Sequence, residues 1–142
     1  MENEVRRLAD HETVFFSLNG LFFEYDAAKN RTNIRKHGVS FRTAARVFFD
    51  YDRIELYDDE NSRDEDRYDV IGDASAGIPD TQESAIIGNL DRFAPGAEDI
   101  LYVVYTERSS RVIDSRSETV IRLISARLAT NFERGLYYGK QG

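Results

Sequence analysis

The sequence predicts an α+β domain: an antiparallel β-sheet with two N-terminal helices, a C-terminal helix and an N-terminal β-hairpin. Three observations predict it. Asn19-Gly20 separates two β-favouring runs, the stretch 23–49 carries paired helix start and stop signals, and four further β-favouring runs precede a capping box at Thr130–Glu133. With 142 residues the chain is the size of one domain, 1–142, able to bury a core without staples. It contains no cysteine, which removes disulfides, thiol catalysis and zinc-thiolate sites.

Residues 1–12 are polar and charged and are expected as a short helix or a frayed arm. Strands are expected near 13–18 and 21–25, because a two-residue Asn-Gly connection suits a type I′ turn. Asp26 is placed to cap a helix, Ala27 and Ala28 favour it, and Lys36-His37-Gly38 puts cations in its last turn before a permissive residue. Ser40 is a second N-cap. Phe41, Ala44, Ala45 and Phe48 follow at i, i+3, i+4 and i+7, an apolar stripe that must face a core.

Arg53–Tyr57 alternates as a half-buried strand, 58–66 reads as an acidic loop, and Arg67–Gly72 returns as a strand. Residues 73–99 contain both prolines and many acids, and are expected as a surface excursion away from the functional site. Ile100–Thr106 suits a central strand, 109–118 reads as a polar loop, and Val120–Ser125 as the last strand before a terminal helix of about two turns.

Charge is unevenly spread. The formal net charge is −7, yet residues 27–46 carry six basic side chains and no acid, and 108–142 carry seven basic against three acidic. The intervening 47–107 holds seventeen acids and four basic residues. A solvated helix face would explain the first basic run; an anion site built where the two basic segments meet would explain both. No apolar run approaches membrane-spanning length and the N-terminus has no hydrophobic leader, so a soluble cytoplasmic protein is expected.

The string from Phe23 to Phe41, Phe-Glu-Tyr-Asp-x-x-Lys-x-x-x-Asn-x-x-Lys-His-Gly-Val-x-Phe, resembles the opening of the BrnT family of bacterial toxins. The likeness continues through Glu65-Asp-Arg67-Tyr-x-x-Ile-Gly, Tyr-Thr-Glu107-Arg108 and Ile-Arg122-Leu-Ile-Ser-Ala-Arg127-x-Ala-Thr-x-x-Glu133-Arg134-x-x-Tyr137, in order over roughly 22–138. What the resemblance implies is a RelE-like fold and a metal-independent endoribonuclease that stops translation. It also implies a BrnA-like antitoxin, bound in a heterotetramer that contacts DNA through the antitoxin. Residues 1–20 then read as an extension, with the hairpin added to the family's fold, and much of 73–99 as an insertion.

Cleaving RNA without a metal requires activating the ribose 2′-OH, stabilising the phosphorane and protonating the leaving 5′-oxygen. His37, at a helix C-terminus that favours a cation, is a candidate acid or merely a C-capping group, with Lys36 beside it. Glu65 is a candidate base or an orienter of a cation. Arg67, Arg122 and Arg127 are candidates to grip phosphate, or to form internal salt bridges with Glu65, Glu107 or Glu133. Tyr137 offers a phenol or a stacking face, unless it is a core aromatic beside Leu136. Lys29, Arg31, Arg35, Arg108 and Arg134 are candidate RNA contacts. No cluster has metal-ligand spacing and no cofactor motif is present, so neither is expected. The runner-up is a catalytically inactive toxin homologue serving as an antitoxin-binding or DNA-regulatory module.

Overall fold

The structure, a computed structural model, describes residues 12–75, 99–113 and 115–141. Residues 1–11 of the arm expected at 1–12, and 76–98 of the 73–99 excursion, lie outside the described residues. Strands β1 (Thr13–Leu18) and β2 (Leu21–Asp26) are joined by Asn19 and Gly20 at φ of 45° and 89°, both positive as a type I′ turn demands. Helix α1 (Ala27–His37) follows at once and stops at Gly38, which is left-handed at φ 71° and donates its N–H to the Ile34 carbonyl at 2.8 Å. The Asp26 side chain makes no capping bond; the Ala27 N–H instead reaches the Glu12 carbonyl at 2.9 Å.

Ser40 does cap α2 (Phe41–Ala45), accepting from the Thr43 N–H at 3.1 Å, and the helix tightens into a 3₁₀ turn over Arg46–Phe49. The stripe Phe41, Ala44, Ala45 and Phe48 is buried throughout. Then come β3 (Ile54–Tyr57), β4 (Tyr68–Asp73), β5 (Ile100–Ile113), β6 (Arg116–Leu128) and α3 (Asn131–Gln141). Among the described residues no helix is long and apolar enough to cross a membrane.

The six strands form one sheet in the order β1-β2-β6-β5-β4-β3. It is mixed rather than antiparallel, because β2 pairs with β6 in parallel, Phe22 opposite Val120 through Glu24 opposite Arg122. The chain leaves β2 through α1 and α2 to the far edge, and three antiparallel reversals then return β6 in the direction of β2. Alternation reveals a strand's buried face but not the sense of its pairing.

Residues 109–118, expected as a polar loop, fold otherwise. These residues do not form a loop: β5 and β6 continue past the sheet as a two-stranded ribbon, with Arg111 opposite Glu118 and Ile113 opposite Arg116. There β5 has passed the end of its pairing with β4, and β6 has not reached its pairing with β2, so the ribbon rests on β5–β6 pairing alone, which no single run of sequence reveals.

Each face of the sheet has its own core. Phe23, Val70, Leu101, Val103, Tyr105, Leu123 and Ala126 pack beneath Val39, Phe41, Ala44, Val47 and Phe48. On the opposite face Ile71, Ile100 and Tyr137 form a smaller cluster with Ile54 and Tyr102. Gly72 permits the first contact, since a Cβ there would stand 3.0 Å from that of Val47.

Candidate functional site

The site begins where β2 parts from β6. Pairing ends at Glu24–Arg122, so the rest of β6 presents an open edge on that side, and α1 lies along it. Asn33, buried on α1, fills the edge: its Nδ2 donates to the Ala126 carbonyl at 2.7 Å and its Oδ1 accepts from the Ala126 N–H at 3.0 Å. The same Nδ2 donates to the Val39 carbonyl at 2.8 Å, tying the turn after α1 to the sheet. One carboxamide thus satisfies three buried backbone groups that would otherwise cost stability.

Beside this anchor β6 carries an extra residue. Leu123 lies opposite Tyr105 and Ser125 opposite Val104, leaving Ile124 as a bulge. The bulge changes which side chains share a face. Arg122 and Arg127 are five apart, an odd spacing that a regular strand would send to opposite faces; here they stand opposite Thr106 and Tyr102, which are four apart and share one.

A cavity of about 300 Å³ opens between α1 and this part of β6, lined by Ala28, Lys29, Thr32, Asn33, Lys36 and His37 on the helix and Ile124 and Ser125 on the strand. Residues 29, 32, 33 and 36 fall at i, i+3, i+4 and i+7, one helical face, which is why they meet there. Lys29, Lys36 and His37 are exposed, and none of them makes an ion pair with another described residue. The half-buried Ser125 hydroxyl has no hydrogen-bond partner among the described residues.

The strand arginines differ. Arg122 meets the buried Glu24 at 2.6 Å, and Arg127 is held bidentately by Glu133 at 2.7 and 2.9 Å while its guanidinium lies 4.3 Å from the Tyr102 ring centre. Hydrogen bonding to Arg127 holds the Glu133 carboxyl below its ordinary range, and the same bond raises the guanidinium. Glu133 also completes the capping box, accepting from the Thr130 N–H at 2.9 Å while its own N–H reaches Thr130 Oγ1 at 3.2 Å. Arg108 stands 3.7 Å from Glu65, and Arg134 3.8 Å from Asp99.

Glu65 and Arg67 line a separate cavity of about 420 Å³ with Asn61, Arg63 and Asp64. Glu65 also borders a third, of about 300 Å³, with Asp66, Tyr68, Thr106, Glu107 and Thr119. Tyr137 is buried in the smaller core and donates to Asp50 Oδ2 at 2.6 Å. Arg31 and Arg35 are exposed on α1, with Arg35 donating to Thr32 Oγ1 at 3.4 Å. The structure therefore gathers Lys29, Lys36 and His37 in one place and Glu65, Arg67 and Arg108 in another.

Sequence reasoning gave no role to Asn33 and Ser125, although both stand in the motifs quoted above and Asn33 shares the helical spacing of Lys29 and Lys36. It also missed Asp69. That carboxylate is buried on the sheet face that carries Arg127, accepts a short hydrogen bond from the Tyr102 hydroxyl, and leaves Oδ1 unpartnered among the described residues. Burial first, with the neighbouring Asp58 adding to it, pushes its pKa up to about 6, against the opposing pull of Tyr102 and Arg127. No group of three or more His, Asp and Glu side chains among the described residues could hold a metal ion.

Two exposed ammonium groups on one cavity wall, with an imidazole beside them, can neutralise an anion. Comparison with known proteins places a family on this region: residues 25–78 match the model of the ribonuclease toxin, BrnT, of type II toxin-antitoxin system. The resemblance drawn from the motifs is borne out over these residues, which include Lys29, Lys36, His37, Glu65 and Arg67 but not Arg108, Arg122, Arg127, Arg134 or Tyr137. No curated protein matches the chain.

Proposed function

We propose that the chain is a BrnT-type toxin that cleaves RNA at the α1–β6 cavity without a metal ion, inhibits translation, and is neutralised by a BrnA-like antitoxin. The observation that carries this reading is the contrast in pairing. Lys29, Lys36 and His37 converge on a cavity without ion-paired carboxylates, whereas Arg122 and Arg127 are already engaged by Glu24 and Glu133. An anion binds most readily where cations are not already neutralised.

In this mechanism the ribose 2′-oxygen attacks the adjacent phosphorus, the new P–O2′ bond forms as the P–O5′ bond breaks, and a 2′,3′-cyclic phosphate and a 5′-hydroxyl result. Lys36 stabilises the charge gathering on the phosphorane oxygens. His37, as imidazolium, gives its proton to the departing 5′-oxygen. The attacking and leaving oxygens share one phosphorus, so with Glu65 in a separate cavity the 2′-OH proton passes to water at the α1–β6 cavity, and Glu65, expected from the motif as the base, acts with Arg67 and Arg108 on the flanking RNA. Arg122 and Arg127 act by holding β6 against β2 and α3, and Tyr137 by fixing α3 to Asp50. Arg31, Arg35 and Arg134 extend the basic surface for RNA.

The partner that restrains such an enzyme is the antitoxin, bound in a heterotetramer that contacts DNA through its antitoxin half. A second reading draws on the paired Arg122 and Arg127 and on the net charge of −7: an inactive homologue that docks an antitoxin or regulates at DNA. Inducing the chain alone in a bacterial host separates the two. Growth arrest with RNA cleavage is expected, and normal growth with folded protein and intact RNA would favour the inactive module.

A further inference from the structure

We propose that Ser125 is a substrate-positioning residue: its hydroxyl holds a backbone phosphate of single-stranded RNA together with Lys29 and Lys36, and the Ile124 bulge is what presents it there. The inference rests on the ribonuclease reading but concerns a residue outside the span that matches the toxin family.

The geometry points to Ser125 in three ways. In a regular strand residues alternate, so with Leu123 buried in the main core Ser125 would share its face and Ala126 would turn outward. The bulge reverses this: Ala126 is fully buried opposite Val103, and Ser125, opposite Val104, borders the cavity. Asn33 then locks the register by pairing with both backbone groups of Ala126, the very next residue. The hydroxyl placed there has no partner among the described residues and stands across the cavity from the basic face of α1.

The cavity also has the composition a nucleotide needs. Lys29 and Lys36 are seven residues apart, about 10 Å along the helix axis, so their long side chains approach a phosphate in the cavity from its two ends. Ala28 and Ile124 supply apolar wall for a sugar, and Thr32 and Ser125 supply hydroxyls. At about 300 Å³ it is at the small end of ligand sites, larger than a bare phosphate requires. A hydroxyl donor facing two ammonium groups fits a phosphodiester oxygen, which is anionic at neutral pH and only accepts.

The test uses an all-2′-deoxy oligonucleotide, which lacks the attacking hydroxyl and is bound without being cut, alongside its RNA counterpart. Ser125→Ala is expected to weaken binding of the deoxy probe about three- to tenfold, the worth of one such hydrogen bond. KM for RNA should rise by the same factor with kcat within twofold, and Ser125→Thr should recover most of the loss. Lys29→Ala should reduce the salt dependence of binding by about one phosphate contact. Binding and KM unchanged in Ser125→Ala, or a loss confined to kcat, would overturn the proposal while RNA cleavage by the unaltered chain still supports the ribonuclease. Ser125-dependent binding of the deoxy probe by a chain that cuts no RNA would uphold the phosphate site and overturn the ribonuclease.

Discussion

Asn33 closes the edge of β6 with bonds of 2.7 and 3.0 Å to the two backbone groups of Ala126, and holds the α1–α2 turn through Val39. Asn33→Ala leaves a buried N–H and two buried carbonyls without these bonds, so a loss of about 2–4 kcal/mol in unfolding free energy is expected from denaturant titration. A loss below about 1 kcal/mol would show that water or another side chain takes over. Asp69 gives a second residue-scale prediction. Its pKa is raised in the folded state, from 3.8 to about 6, so the stability it contributes is fully present below pH 3.8 and is lost as pH rises through 6. At roughly 1.4 kcal/mol per unit the loss is at most about 3 kcal/mol. Glu133, shifted downward, acts in the opposite sense: its contribution is present above its ordinary value and is lost as pH falls. Asp69→Asn should therefore flatten the pH dependence of stability between about 4 and 6 and leave the more acidic limb in place; an unaltered slope in that window would refute the assignment.

At the scale of elements, the features legible in the sequence are those that one residue's own chemistry decides. Asn19-Gly20 takes the positive φ its hairpin turn needs, Gly38 ends α1, Ser40 caps α2, and Thr130 and Glu133 cap α3 reciprocally. What the sequence concealed depends on distant partners. The parallel β2–β6 pair depends on where a crossover lands, the ribbon on β5 and β6 pairing beyond their other neighbours, and the Ile124 bulge exists only relative to Val104 and Tyr105 on the neighbouring strand. The candidate site divides in the same way. Lys29, Lys36 and His37 share one helix and could be read together, whereas Ser125 joins them through the fold. The docking of α3 is likewise tertiary: Asp50 Oδ2 accepts from the Tyr137 hydroxyl and from the Asp73 N–H, linking the 3₁₀ turn, β4 and α3. Tyr137→Phe should lower the urea midpoint by the equivalent of about 1 kcal/mol without changing the slope. A lowered slope would mean instead that α3 detaches before the sheet unfolds.

For the molecule as a whole, the acidic stretch and the basic site lie on one chain, and the fold decides whether they interfere. The ends of the 76–98 segment are already joined, with Asp73 opposite Ile100 and the Ala74 N–H donating to the Asp99 carbonyl at 3.1 Å. Replacing 76–98 with a two-residue Asn-Gly turn should therefore close an ordinary hairpin, leaving a folded protein that still cleaves RNA. A variant that folds but has lost cleavage would make that segment part of the site. Whether Lys36 and His37 cut RNA from the α1–β6 cavity is decided by incubating the purified protein with a synthetic single-stranded RNA in excess chelator. Products should end in a 2′,3′-cyclic phosphate and a 5′-hydroxyl, at a rate that His37→Ala and Lys36→Ala each lower at least about a hundredfold, as expected for removing a positioned proton donor or charge. Intact RNA with folded protein, cleavage abolished by the chelator, or cleavage undiminished in both variants would contradict this expectation.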